Sequence, residues 1–194
     1  MTTRVTLVSP AMNPSLREAR FDDGCSLDAA GAARAHAAAG ELRTAATALV
    51  SPTVRCRETA AALGLDARAE PALASLDMGR WRGRTLDEVG AGEPEALARW
   101  LADPAAAPHG GESVRLLCAR VGDWLEETAR RAGRTVAVVE PEVVRAVAVR
   151  VLGAPETAFW RIDVPPLTAT SFTGRAGRWN LTPGTALGGS SGTP

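Results

Sequence analysis

Lysine is absent from the chain: all 22 basic residues are arginine. That excludes Schiff-base chemistry and a lysine-bearing phosphate loop, and leaves arginine as the permanent cation available to hold an anion. Histidine is nearly absent, with His36 and His109 alone. The three cysteines, Cys25, Cys56 and Cys118, are odd in number and share no close spacing, so neither a disulfide framework nor a zinc site is indicated. None is followed six residues later by arginine, which excludes a cysteine-dependent phosphatase loop. No apolar run is long enough for a signal peptide or a bilayer span. Free thiols in a reducing cytoplasm are the expectation. Charge of either sign is in balance, 22 acidic against 22 basic residues, and argues for neither nucleic acid nor membrane as a partner. No metal or cofactor is expected.

What is present reads as one globular domain. Of the 194 residues, 45% are apolar and 23% charged, ordinary values for a chain with a real core. Strands are expected at Val5–Val8, Thr47–Val50, weakly at Ala67–Ala69, and at Thr135–Val139. Helices are expected at Leu27–Leu42, Pro52–Gly64, Pro94–Leu101 and Glu112–Ala132, the last closed by Gly133. A helix to Leu152 follows the Thr135–Val139 strand. Thr85 and Glu88 form a capping-box pattern that starts a short helix, and Arg161–Leu181 reads as two or three strands. Ser15–Ser26 and Leu76–Arg84 read as loops. Strand–helix alternation predicts an α/β sheet covered on both faces, with a single domain over 1–182 and a low-complexity, disordered tail over 183–194.

Three apolar runs end alike, in LVSPAM, LVSPTV and VVEPEV. Proline suits the first turn of a helix that follows a strand, and ligands of open α/β sheets sit beyond the carboxyl ends of the strands. The three ends are therefore expected to meet at one place.

The segment VSPTVRCRETAAALGL (Val50–Leu65) resembles the histidine phosphatases, the superfamily of cofactor-dependent phosphoglycerate mutases. It shares their Ser-Pro, the arginine three residues on, the Thr-Ala and the leucine–glycine helix end. LDMGRWRGRTLDEV (Leu76–Val89) is similar to that family's Gly-x-Trp-Glu-Gly loop, and PHGGES (Pro108–Ser113) to its Pro-x-Gly-Gly-Glu-Ser loop. FWRIDVPPLTATSFTGRAGRWNL (Phe159–Leu181) is similar to its closing strands. The likeness runs in order from Arg4 to Leu181. It implies a three-layer α/β/α sandwich with a mostly parallel sheet, of the phosphoglycerate mutase-like kind.

The resemblance also implies where chemistry would lie, and those positions depart from the pattern. The family's Leu-Val-Arg-His-Gly reads here as Leu7-Val8-Ser9-Pro10-Ala11, so Ser9 replaces an arginine and Pro10 the nucleophilic histidine. A proline side chain has no lone pair to attack phosphorus. The second histidine falls on Pro141 when counted from the strand, and on Glu140 when counted back from Arg145. The acid falls on Ser75, with Asp77 close by. Arg55 survives from the phosphate-binding core. Glu140 is expected to take the place of a phosphate as partner of Arg55, shared with Arg145, because an unpaired buried charge is costly. His109 borders the implied site, as a general acid, a displaced nucleophile or an exposed loop residue. Arg80, Arg82 and Arg84 form either an anion site at the pocket mouth or a solvated face. Trp81 is the tryptophan expected to line a pocket.

Two readings stay open. In one the protein binds a small anionic or polar ligand or a protein partner, around Arg55, Glu140, Ser9, His109 and Arg145, without phosphohistidine chemistry. In the other it acts on small phosphate esters through displaced groups such as His109, Glu140 or Asp77.

Overall fold

In the computed structural model the described residues are 2–42, 46–175 and 177–188. Strand β1 (Thr2–Val8) leads through two short helical elements, α1 (Pro14–Arg17) and α2 (Ala29–Ala37), to β2 (Thr47–Val50). Helix α3 (Val54–Ala62) and the two-residue β3 (Arg68–Ala69) follow, then α4 (Leu86–Gly92), α5 (Pro94–Ala102) and the long α6 (Val114–Arg131). The chain ends with β4 (Gly133–Val138), α7 (Pro141–Leu152) and the antiparallel pair β5 (Thr168–Arg175) and β6 (Arg178–Ala186).

The sheet order is β3-β2-β4-β1-β5-β6. β1, β2, β3 and β4 are parallel; β5 runs against β1, and β6, antiparallel to β5, runs again in the direction of β1. Side-chain alternation along the strands builds two cores, one on each face. Val5, Leu7, Ala137 and Val139 turn toward α6 and α7, with Phe159 and Phe172. Val8, Val50, Val136 and Val138 turn the other way, toward Cys56, Ala60 and Leu63 of the α3 segment and Ala38 after α2. This is the three-layer α/β/α architecture that the pattern predicted. Among the described residues no helix is long and apolar enough to cross a membrane.

Because β2, β4 and β1 are neighbours, their proline-terminated ends lie side by side. Ser51 N–H donates to Val138 O at 2.9 Å, and Val139 N–H to Val8 O at 2.9 Å. Proline takes the first turn of α7, where its missing N–H costs nothing.

Local departures from the sequence reading have local causes. The loop expected over Ser15–Ser26 starts with the turn of α1, which Asn13 caps by accepting from Leu16 N–H. The capping box of Thr85 and Glu88 is present, in both directions. Gly133 does not cap α6. The helix stops at Arg131, Ala132 takes a positive φ of 51°, and Gly133 already opens β4. The tail expected to be disordered from residue 183 is ordered at its start. β6 runs to Ala186 along β5, and Leu187 is buried with its N–H on Leu167 O. Residues 189–194 lie outside the described residues.

Candidate functional site

Helices α3 and α7 point their N-termini at the same spot beyond the strand ends. Thr53 and Glu140 are their N-cap residues, and neither side chain caps its own helix. Instead Thr53 Oγ donates to Glu140 Oε1 at 2.8 Å. Arg55, in the first turn of α3, donates from Nε to both Glu140 oxygens, at 3.0 and 2.8 Å, and from an Nη to Oε2. Cys56 Sγ lies 3.5 Å from Oε1. Arg55 is 8% exposed and Glu140 1%, so this is a buried pair whose carboxylate has a full set of donors, the condition for tolerating charge in the interior. Burial alone would lower the Arg55 pKa, but the bonded carboxylate outweighs it and raises it. Burial, followed by the Glu140 charge, pushes the Cys56 thiol well above its usual value.

The two residues that the resemblance offered for the second histidine are placed differently. Glu140 reaches Arg55, while Pro141 is the first helical residue of α7. Arg145 does not share the carboxylate. Its Nε donates to Ile162 O at 2.8 Å, and its guanidinium lies over the rings of Phe159 and Trp160.

At the end of β1, Ser9 and Pro10 are buried and committed to the fold. Ser9 Oγ donates to Pro165 O at 2.5 Å and accepts from Thr168 N–H at 3.0 Å, tying β1 to the start of β5. Pro10 O accepts from Leu167 N–H, and Ala11 N–H donates to Thr59 Oγ. Ser9 therefore has no free hydroxyl to offer a ligand.

Beside the pair opens a cleft of about 200 Å³ lined by Asp22, Ser75, Leu76, Asp77, Met78 and Arg82. Its wall is held by Glu142, which accepts from Leu76 N–H at 3.3 Å. Burial, and then the Glu140 charge, pushes the Glu142 carboxyl up to about 7. Burial also raises Asp22. Ser75 and Asp77 both border the cleft; Asp77 is exposed, and its carboxylate accepts from Gly79 N–H at 2.9 Å. Asp22 was not legible as a site residue, since it falls in the stretch Ser15–Ser26 read as a loop; nor was Thr53, which falls inside the helix expected from Pro52.

The three arginines of the tryptophan loop divide. Arg80 and Arg84 both bind Glu93, which they hold down at a pKa of about 2. Arg82 alone borders the cleft, exposed and without an ion pair among the described residues. Trp81 does not line a pocket. It is fully buried, donates to Glu93 at 3.2 Å, stacks with Phe21, and meets Trp100 edge-on and the tilted ring of His109.

His109 is 1% exposed, so it is not an exposed loop residue. Its Nδ1 accepts from Gly111 N–H at 3.0 Å, which fixes a neutral imidazole with the proton on Nε2. Burial lowers its pKa, Asp77 raises it and Arg80 lowers it. The loop around it meets the tryptophan loop backbone to backbone. A Cβ on Gly79 would lie 2.3 Å from His109 O, and one on Gly111 would lie 2.0 Å from Asp77 O. Neither His109 nor the exposed His36 hydrogen-bonds to Arg55, Thr53 or Glu140.

Comparison with known proteins agrees with this architecture. Residues 13–183 match the family model "Histidine phosphatase superfamily (branch 1)". Phosphoserine phosphatase 1 of Hydrogenobacter thermophilus is 35% identical over 106 residues, 53% of this chain and 50% of that protein. The matched region thus spans about half the length of that relative. The solved structure of mycobacterial hydrolase 1 covers 96% of this chain and all of its own, with a TM-score of 0.84 at 24% identity. A mycobacterial glucosyl-3-phosphoglycerate phosphatase in complex with VO3 superposes with a TM-score of 0.81 at 25% identity, covering 93% of this chain and 97% of its own. The chain belongs to the histidine phosphatase superfamily (branch 1).

Proposed function

We propose that this protein keeps the histidine-phosphatase fold without its phosphohistidine chemistry, and serves as a binding or regulatory protein. The observation that carries this reading is the Glu140 carboxylate seated on Arg55, where an anionic ligand would otherwise be held. A second anion there meets repulsion: unit charges about 4 Å apart repel by roughly 4 kcal/mol at an effective dielectric near 20. Asp22 and Asp77 add to that repulsion around the cleft, Glu142 joins them once it ionises above about pH 7, and Arg82 is the cation that opposes it. No imidazole joins the pair, and loss of a hydrolase nucleophile can lower turnover by about a millionfold. The family match begins at residue 13, past Ser9 and Pro10.

The enzyme reading draws on relatives named as phosphatases, and on Glu142, whose pKa of about 7 suits a general acid or base. His109 suits it poorly, since its ring is enclosed by Trp81 and Trp100. Purified protein is expected to show neither turnover of p-nitrophenyl phosphate or phosphoserine nor calorimetric binding of vanadate. Turnover abolished by Glu142→Gln or by His109→Ala would replace the binding role with an enzymatic one.

A further inference from the structure

Helices α2 and α3 cover only part of their face of the sheet. Over the lower ends of β4, β1, β5 and β6 that face is open, with Thr2, Arg4, Arg134, Arg175, Arg178, Asn180 and Thr182 all exposed. Strand parity puts these side chains on one side. Val5, Leu7, Ala137, Phe172, Trp179 and Leu181 join the opposite core with α6 and α7, so their sequence neighbours turn away from it. Register then brings the arginines together: Arg4 is the direct neighbour of Arg134, and Arg175 of Arg178. Thr2 links the two pairs, standing opposite Arg175. Thr2, Thr173, Arg175, Arg178 and Asn180 bound an open hollow between them.

Two features set this face apart from ordinary solvated surface. Like charges placed directly opposite each other in a sheet are destabilising, and the face has two such pairs. The strands supply no compensation: β1, β4, β5 and β6 contain no aspartate or glutamate, none of the four arginines has an ion pair among the described residues, and Glu126, which borders a hollow with Arg178, is paired with Arg150. The remaining positions are hydroxyls and an amide, with Thr6 and Ser171 bonded to each other at 3.1 Å.

We infer that the exposed face of β4-β1-β5-β6 is a docking surface for an acidic protein segment, whose carboxylates pair with Arg4, Arg134, Arg175 and Arg178. Charge complementarity decides the sign of the partner, and the guanidinium fork suits carboxylates held in fixed geometry. Nucleic acid is the poorer occupant because sheet faces that bind single strands stack bases on aromatic rings. The aromatic residues of these strands, Phe172 and Trp179, turn to the opposite core; Trp179 lies flat over Gly174, where a Cβ would meet its ring at 2.9 Å.

The test is fluorescence anisotropy of a labelled peptide of alternating glutamate and alanine, titrated with the full chain at low salt. Binding should weaken by about tenfold in a variant carrying Arg4→Gln, Arg134→Gln, Arg175→Gln and Arg178→Gln. It should be unchanged in Arg99→Gln/Arg161→Gln, which lies outside the face. The fourfold variant should melt no lower than the wild type, since it relieves repulsion. Absence of peptide binding, equal binding by the fourfold variant, or tighter binding of an oligothymidylate of equal charge would each overturn the inference. So would a lowered melting temperature in the fourfold variant, which would make the arginines structural, or patch-dependent self-association in sedimentation.

Discussion

Replacing Glu140 by alanine should convert a self-filled site into one that responds to phosphate. In the wild type the carboxylate accepts from Arg55 at 3.0 and 2.8 Å through Nε and again through an Nη, and from Thr53 at 2.8 Å. Its removal strands a guanidinium that is 8% exposed. Breaking a buried pair from one side costs about 3–5 kcal/mol, a large part of the 5–15 kcal/mol typical of a whole domain. The vacated space keeps three features that suit an oxyanion: Arg55, the Thr53 hydroxyl and the N-terminus of α7. If phosphate binds there with a Kd of about 1 mM, about 10 mM phosphate stabilises the variant by roughly 1.4 kcal/mol. For a chain of this size that is a rise of about 3–6 °C in melting temperature. The assay is thermal denaturation with and without phosphate at matched ionic strength, and the wild type should show no rise. Arg55→Met/Glu140→Leu, which removes both charges, should regain most of the lost stability and ignore phosphate. A wild type stabilised by phosphate as strongly as Glu140→Ala would refute the reasoning, and so would a loss below about 1 kcal/mol on truncation.

The remaining expectations concern the groups around that pair. Glu142 titrates near 7 in the fold against 4.5 when free, so the native state holds its proton longer than the unfolded chain. Stability should fall as pH rises between those values, by an amount on the order of 3 kcal/mol; Glu142→Gln should flatten the profile there and be the more stable protein at pH above 7, as read by urea denaturation. His109 has the opposite sign: its pKa is lowered by burial, so stability is full above the free value of 6.5 and declines as pH falls below it. Tryptophan fluorescence should report an acid transition from the adjoining indoles, and His109→Gln, which can still accept from Gly111, should shift or remove it. Ser9→Ala leaves Thr168 N–H without its partner and Pro165 O with the Thr168 hydroxyl alone; the loss should be about 1–3 kcal/mol in chemical denaturation.

The sequence showed where the site would be more clearly than what would fill it. Strand ends such as Val50-Ser51-Pro52 and Val139-Glu140-Pro141 mark themselves locally, through apolar runs stopped by a proline that lies just before a helix or opens it. The Arg55–Glu140 pair was legible because electrostatics allows few alternatives for a buried guanidinium near a buried carboxylate. Arg145 was not, since a guanidinium can equally be satisfied by a carbonyl and two aromatic rings, and only the packing of residues 156–162 makes that choice. Trp81 in a glycine- and arginine-bearing loop looks like a pocket residue by composition; it is core because Phe21 and Trp100, far away in sequence, converge on it. The order of residues 183–188 was hidden for a similar reason, as a poor strand sequence is held by pairing with β5.

The glycine contact between the two loops beside the cleft has a consequence for how such proteins are recognised. Gly79 and Gly111 are dictated by steric exclusion, because any side chain would drive into the opposing carbonyl. The requirement holds whether or not a phosphoryl group is ever transferred nearby. A signature enforced by shape therefore identifies the scaffold and is silent on turnover.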